Sequence, residues 1–107
     1  MISRVWAGVT TTDNADAYET LLRAKIFPNI LAKKIDSFLR IERFRRPMGE
    51  EVEFVTVMWF TSLEAVRAFA GENYEHAVVP PAPQAVLKRF DKTSRHYEVR
   101  EHAQPAD

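Results

Sequence analysis

Residues 54–81 read FVTVMWFTSLEAVRAFAGENYEHAVVPP, and the fold follows from how this stretch alternates, caps and stops. Of its first seven residues only Thr56 is polar. An extended chain sends successive side chains to opposite faces, so Val55, Val57 and Trp59 share one face while Phe54, Met58 and Phe60 share the other. A strand apolar on both faces must be covered on both. The row Val55, Val57, Trp59 is expected to face the helices. Thr61 or Ser62 then caps a helix through Ala65, Val66 and Phe69. Gly71 ends it, because glycine enters the left-handed conformation without a steric penalty. A second helical turn over Tyr74–Val79 is expected to stop at Pro80 and Pro81.

Upstream, Ile2–Thr10 reads as a strand with Ile2 and Trp6 on one face and Val5, Ala7 and Val9 on the other. Gly8 inside it signals a bulge or a close approach. Asp13 is the expected N-cap of a helix whose apolar stripe is Tyr18, Leu21, Leu22 and Ile26, and Pro28 opens a further turn, Pro28–Lys34. Asp36 and Ser37 are expected to turn the chain through side-chain hydrogen bonds. Phe38–Arg46 and Glu51–Thr61 then form a hairpin about Pro47-Met48-Gly49. Its arginines 40, 43, 45 and 46 stand against Glu50, Glu51 and Glu53, the pattern of cross-strand ion pairs. Gln84–Phe90 is one more turn with Leu87 and Phe90 inward, and Thr93–Glu101 is the last strand. The order β-α-β-β-α-β is a ferredoxin-like split βαβ unit, an α+β fold. One domain over residues 1–101 is expected, with a frayed tail at 102–107.

Composition closes off several functions. Lysine plus arginine equals aspartate plus glutamate at 15 each, so net charge argues for neither nucleic acid nor an anionic membrane surface. The absence of cysteine removes disulfides, thiolate nucleophiles and cysteine-based zinc sites. Three glycines in the chain leave no phosphate-binding glycine loop, and three scattered histidines lack metal-ligand spacing. The start reads as a strand, without a leader or a membrane-length apolar run, and the expectation is a cytoplasmic protein. Large apolar residues on both faces of the first three strands call for a second copy packed sheet against sheet, an isologous homodimer.

The run W-F-T-S-L-E-A-V-R-A-F-A-G-E from Trp59, with A-V-V-P-P from Ala77 and H-Y-E-V from His96, resembles the antibiotic biosynthesis monooxygenase superfamily. The similarity extends from R-V-W-A-G at Arg4–Gly8 to Val99. It implies a dimeric α+β barrel and, by analogy with the enzymes of that group, oxidation of a small aromatic or polyketide-type substrate without metal or flavin. It also implies a pocket between sheet and helices. On that pattern Trp59, Phe69, Tyr74 and His76 are the ligand-pocket candidates, and His96 and Tyr97 the catalytic ones. No cofactor-binding or metal residue is assigned. The chain departs from the pattern at Val55, where those enzymes carry an asparagine, and near Ala65, where a helix tyrosine falls. The haem-degrading branch is matched by His76 alone, with Trp6 and Phe69 standing where it has an asparagine and a tryptophan. The alternative is a non-catalytic dimeric barrel holding a small apolar ligand, with haem binding or degradation ranked below both. Each candidate also has a structural reading: Trp59 as core, His76 as a solvated surface residue, His96 as an interface hydrogen bonder.

Overall fold

The computed structural model describes residues 1–106. Along the chain run β1 (Ile2–Thr11), α1 (Thr12–Leu21), a π-helical turn (Leu22–Ile26) and α2 (Phe27–Leu31). The hairpin β2 (Phe38–Met48) and β3 (Glu51–Phe60) follows, then α3 (Leu63–Ala70), α4 (Pro81–Val86), β4 (Arg89–Phe90) and β5 (Arg95–Glu98). The strands make one antiparallel sheet in the order β2-β3-β1-β4, with β5 also pairing β1. Strands β4 and β5 take successive halves of the same β1 edge, opposite Gly8–Val9 and Ile2–Val5 respectively. They are a fourth strand in two pieces, so the α+β ferredoxin-like order holds while the last strand is shorter than Thr93–Glu101. Asp91 makes the interruption. Its backbone N–H donates to Ala7 O (2.9 Å), and its Oδ2 accepts from Ala7 N (3.1 Å). Beyond Glu98 the described residues form no regular element, and residue 107 of the expected tail lies outside them.

The face of β3 that meets the helices is the reverse of the expected one. Val52, Phe54, Met58 and Phe60 are buried, whereas Val55, Val57 and Trp59 are half-exposed on the other side. The reason lies just upstream. The odd row begins with Glu51 and Glu53, whose charges belong in water, while the even row is apolar from Val52 to Phe60 except at Thr56. Two apolar clusters form under the helices. One joins Val52 and Phe54 to Ala15, Tyr18, Leu22 and Leu87; the other joins Met58 and Phe60 to Ala65 and Val66. Each fully buried side chain of this size contributes about 1.5–3 kcal/mol.

Local chemistry explains the remaining boundaries. Strand β1 is held to Thr11, because Thr12 N–H donates to Glu50 O (3.1 Å); the N-cap is therefore Thr11, whose Oγ1 accepts from Asn14 N (3.2 Å), and not Asp13. The first helix does not stop before Pro28. Phe27 N–H bonds Leu22 O, five residues back, and the widened turn makes room for a ring that would strike the carbonyl four residues earlier. The next turn uses no side-chain hydrogen bond from Asp36 or Ser37. Ser37 instead sits at φ 68, with its carbonyl accepting from Thr61 N (2.9 Å). Ser62 caps α3, its Oγ accepting from Ala65 N (3.3 Å), and Gly71 ends it at φ 89.

Tyr74–Val79 is not helical. His76 N–H closes a turn on Asn73 O (3.1 Å), then Ala77 N bonds Lys92 O (2.9 Å) and Ser94 N bonds Glu75 O (2.7 Å). These sheet-like bonds satisfy the backbone that a helix would otherwise have to satisfy. Pro80 and Pro81, expected as a stop, start α4: Pro80 is its N-cap and Pro81 its first residue. The charged hairpin also divides. Arg46 pairs across strands with Glu53 (2.7 Å), but Arg45 and Arg43 reach α1, at Asp16 (3.0 Å) and Glu19 (3.4 Å). No helix among the described residues is long and apolar enough to cross a membrane.

Candidate functional site

Between the two apolar clusters the helix-facing row of the sheet is broken by polar residues. The register sets Arg4 opposite Met58 and Trp6 opposite Thr56. A cavity of about 90 Å³ opens there, roofed by Tyr18, Leu22 and Ile26 and closed at one side by Phe69. Residues Val78–Pro80 and Pro83 form a further wall. Gly8 helps to place Trp6: a Cβ at Gly8 would lie 3.0 Å from Trp6 Cη2, so the absent methyl lets the indole lie over the strand. The close approach signalled by Gly8 is therefore that of a side chain, and β1 runs without a bulge. Trp6 Nε1 donates to Asp91 O (2.8 Å), which locks the ring.

Arg4 is the polar centre of the site. Its side chain is in the core of the chain, at 4 % exposure, and no carboxylate pairs with it among the described residues. Its Nη1 donates to Tyr74 O and contacts His96 Nε2 (3.0 Å), and Nη2 donates to His76 O (3.3 Å). The guanidinium also lies 5.6 Å from the centre of the Phe69 ring. Burial lowers its pKa, yet a guanidinium stays cationic in proteins. An imidazole that accepts through Nε2 is neutral and carries its proton on Nδ1. The His96 pKa is lowered in keeping with this, first by burial and then by the charge of Arg4, with Glu75 opposing. Tyr18 is 1 % exposed, and burial raises its pKa against the influence of Arg43. Its hydroxyl makes no side-chain hydrogen bond among the described residues, and no buried side-chain oxygen or nitrogen there is sealed without a partner. Tyr18 lines this cavity.

Of the residues singled out from sequence, Phe69 lines the cavity. Tyr74, His76 and His96 gather around the Arg4 head, the first two through backbone carbonyls. The Tyr74 and His96 rings meet edge to face at 5.1 Å. The His76 side chain itself is exposed. Trp59 and Tyr97 both stand opposite Ser3 in the register, off the row that faces this cavity. Tyr97 nevertheless joins Tyr74 and His96 in lining a second, more open cavity of about 600 Å³, whereas Trp59 lines neither. Trp59 Nε1 donates to Glu42 Oε1 (2.6 Å) and Arg40 covers the indole at 4.7 Å. Trp59 went to the sheet face turned away from the helices because the parity of β3 is reversed, which removes it from the cavity. Arg4 and Trp6 were missed as cavity residues. The signal was an arginine at an inward strand position between Ile2 and Trp6.

The sequence matches no protein-family model and no curated protein. Solved structures do match. The monooxygenase ActVA-Orf6 of Streptomyces coelicolor, in complex with nanaomycin D, superposes with a TM-score of 0.65 at 15% identity, over 98% of this chain and 91% of its own. A proposed antibiotic biosynthesis monooxygenase from Bacillus cereus gives 0.64 at 13% identity, over 99% and 97%. The haem-degrader MhuD of Mycobacterium tuberculosis, with two haems in its active site, gives 0.58 at 19% identity, over 97% and 100%. The chain thus has the ferredoxin-like α+β fold of antibiotic biosynthesis monooxygenase-like proteins. At such identities the likeness is one of architecture.

A haem does not fit this site. A cavity of about 90 Å³ is far smaller than the porphyrin, and the His76 imidazole is not among its lining groups.

Proposed function

We propose that this chain is a cofactor-independent, monooxygenase-like protein that takes a small aromatic substrate between its sheet and helices. The observation that carries the reading is the largely apolar cavity walled by Trp6, Phe27 and Phe69, with a few polar groups converging on it. Its size sets the substrate class. Pockets for drug-sized ligands start at roughly 300 Å³. A single ring is therefore favoured, and a polycyclic substrate requires the Val78–Pro80 wall to move. Oxidation of a phenol to a quinone consumes one dioxygen and releases one water; one oxygen atom enters the ring and the substrate supplies all the electrons. The reaction needs no outside reductant, so a site that orients the ring and excludes water is sufficient scaffolding.

A second reading, a non-catalytic barrel that binds the same ligand, has its own support. The Nε2 lone pair of His96 is already engaged by Arg4, which leaves no free imidazole base facing the substrate. In either case the chain works as a homodimer, its outer sheet face of Val5, Val55, Val57 and Phe44 covered by a second copy. Phe44 is 51% exposed in the single chain. The test is to follow dioxygen uptake and Trp6 fluorescence together, in a Trp59→Phe background, with phenol and 2-methylphenol, whose conversion to a quinone requires an oxygen atom from dioxygen. Uptake above the spontaneous rate with quenching supports the oxygenase. Quenching without uptake supports the binder, and no response to either compound removes both.

A further inference from the structure

We propose that the cavity selects a ligand bearing one anionic oxygen group, a carboxylate or phenolate on a single aromatic ring, and that Arg4 is the residue that pairs with it. This deepens the ligand-binding reading of the same cavity and rests on it.

Arginine is almost never fully buried without a counter-charge, because removing the guanidinium from water costs more than neutral partners return. Arg4 is buried, and its partners among the described residues are neutral: the carbonyls of Tyr74 and His76, the His96 imidazole and the Phe69 ring face. Among the described residues no acidic side chain lines the cavity, and Arg4 is the one charged residue that does. The bonds found leave Nε–H without a protein acceptor, and no buried side-chain nitrogen among the described residues is sealed without a partner. Tyr18, on the helical side, lines the same cavity. A fixed cation in a cavity otherwise walled by apolar side chains and aromatic rings matches an aromatic ring that carries an anionic oxygen. A second cation, Lys33 Nζ, lies 4.6 Å from the centre of the Phe69 ring and adds positive potential near that wall.

Structural service alone does not account for the charge. Tying down two carbonyls needs donors but no net charge, and two neutral acceptors do not neutralise a cation held in the core. A bound anion supplies what is missing.

The test uses matched ligands on the intact protein: benzoate against benzamide, and 4-nitrophenolate against 4-nitroanisole, each by calorimetry. In the wild-type chain the anion of each pair is expected to bind at least about tenfold tighter than its neutral isostere, as for a buried charge-assisted hydrogen bond. Selectivity in only one pair tells carboxylate from phenolate. Arg4→Gln should erase the preference and Arg4→Lys should keep part of it, with folding of both checked by circular dichroism. Benzoate should also raise the His96 pKa, read from its ring protons by NMR, by offsetting the Arg4 charge; Arg4, Glu75 and the Tyr74 ring are the groups that bear on that imidazole. Equal affinity for anion and isostere in the wild-type chain overturns the inference and leaves the cavity reading standing. Binding of neither overturns both. An undiminished preference in folded Arg4→Gln shows that another residue holds the anion, and the assignment to Arg4 is withdrawn.

Discussion

Adding one methyl group at Gly8 reports directly on how Trp6 is seated. The Cβ of Gly8→Ala would lie 3.0 Å from Trp6 Cη2, 3.2 Å from Leu87 Cδ2 and 3.3 Å from Trp6 Cζ3. Leu87 Cδ2 is the end of a flexible side chain and can swing away. Trp6 has less freedom, because its Nε1 is tied to Asp91 O at 2.8 Å and turning the ring gives up that bond. Overfilling a packed site costs about 1–3 kcal/mol. Against it, alanine restricts the unfolded chain and returns about 0.4–1 kcal/mol. A net loss of roughly 1–2 kcal/mol is expected, on the scale where 1 kcal/mol shifts Tm by about 4–8 °C in a domain near this size. Urea unfolding monitored in the Trp59→Phe background isolates the Trp6 signal. The variant should unfold at lower urea, and its native emission should already differ from that of the parent. An unchanged or raised midpoint with unaltered emission would refute the close seating of Trp6 on Gly8.

Ser37→Gly should stabilise the chain by about 1 kcal/mol in the same assay, since Ser37 holds φ 68 with no side-chain bond to compensate; a loss of stability would mean that the serine hydroxyl contributes there. Val57→Asp, on the open sheet face, is expected to convert a dimer to a folded monomer in sedimentation. Met58→Asp, on the buried face at 5% exposure, should unfold the chain, and matching behaviour of the two would contradict the assigned parity. For His96 the folded pKa lies below the usual 6.5, so the unfolded chain takes up its proton first as pH falls. The stability linked to His96 is therefore complete above about 6.5 and is lost as pH drops through the folded value. His96→Gln should flatten that stretch of the stability profile, and an unaltered slope would assign it to other groups.

The amino-acid sequence by itself determined the fold class. The alternation of Phe54–Phe60, the cap at Ser62, the stop at Gly71 and the order of elements are local signals, each read within a few residues. That Ile2 and Trp6 share one face of β1 was likewise legible, since strand periodicity sets it, and so was the inward placing of Leu87. Tertiary structure decided the rest. Which face of β3 meets the helices depends on Glu51 and Glu53, two residues beyond the run that looks decisive, and on the partner rows of β1 and β2. That choice moved Trp59 to the outer face and brought Thr56 and Met58 into the cavity. The residues flagged from sequence around Tyr74, His76 and His96 do meet, but on a group that no local pattern singled out. Arg4 lies 70 residues from Tyr74 and 92 from His96 along the chain; the pairing of β1 with β5 brings it to His96, and the bonds of Glu75 and Ala77 to Ser94 and Lys92 bring in Tyr74 and His76. Burial of a charge is a property of the assembled layers, and periodicity within one strand carries no information about what covers it.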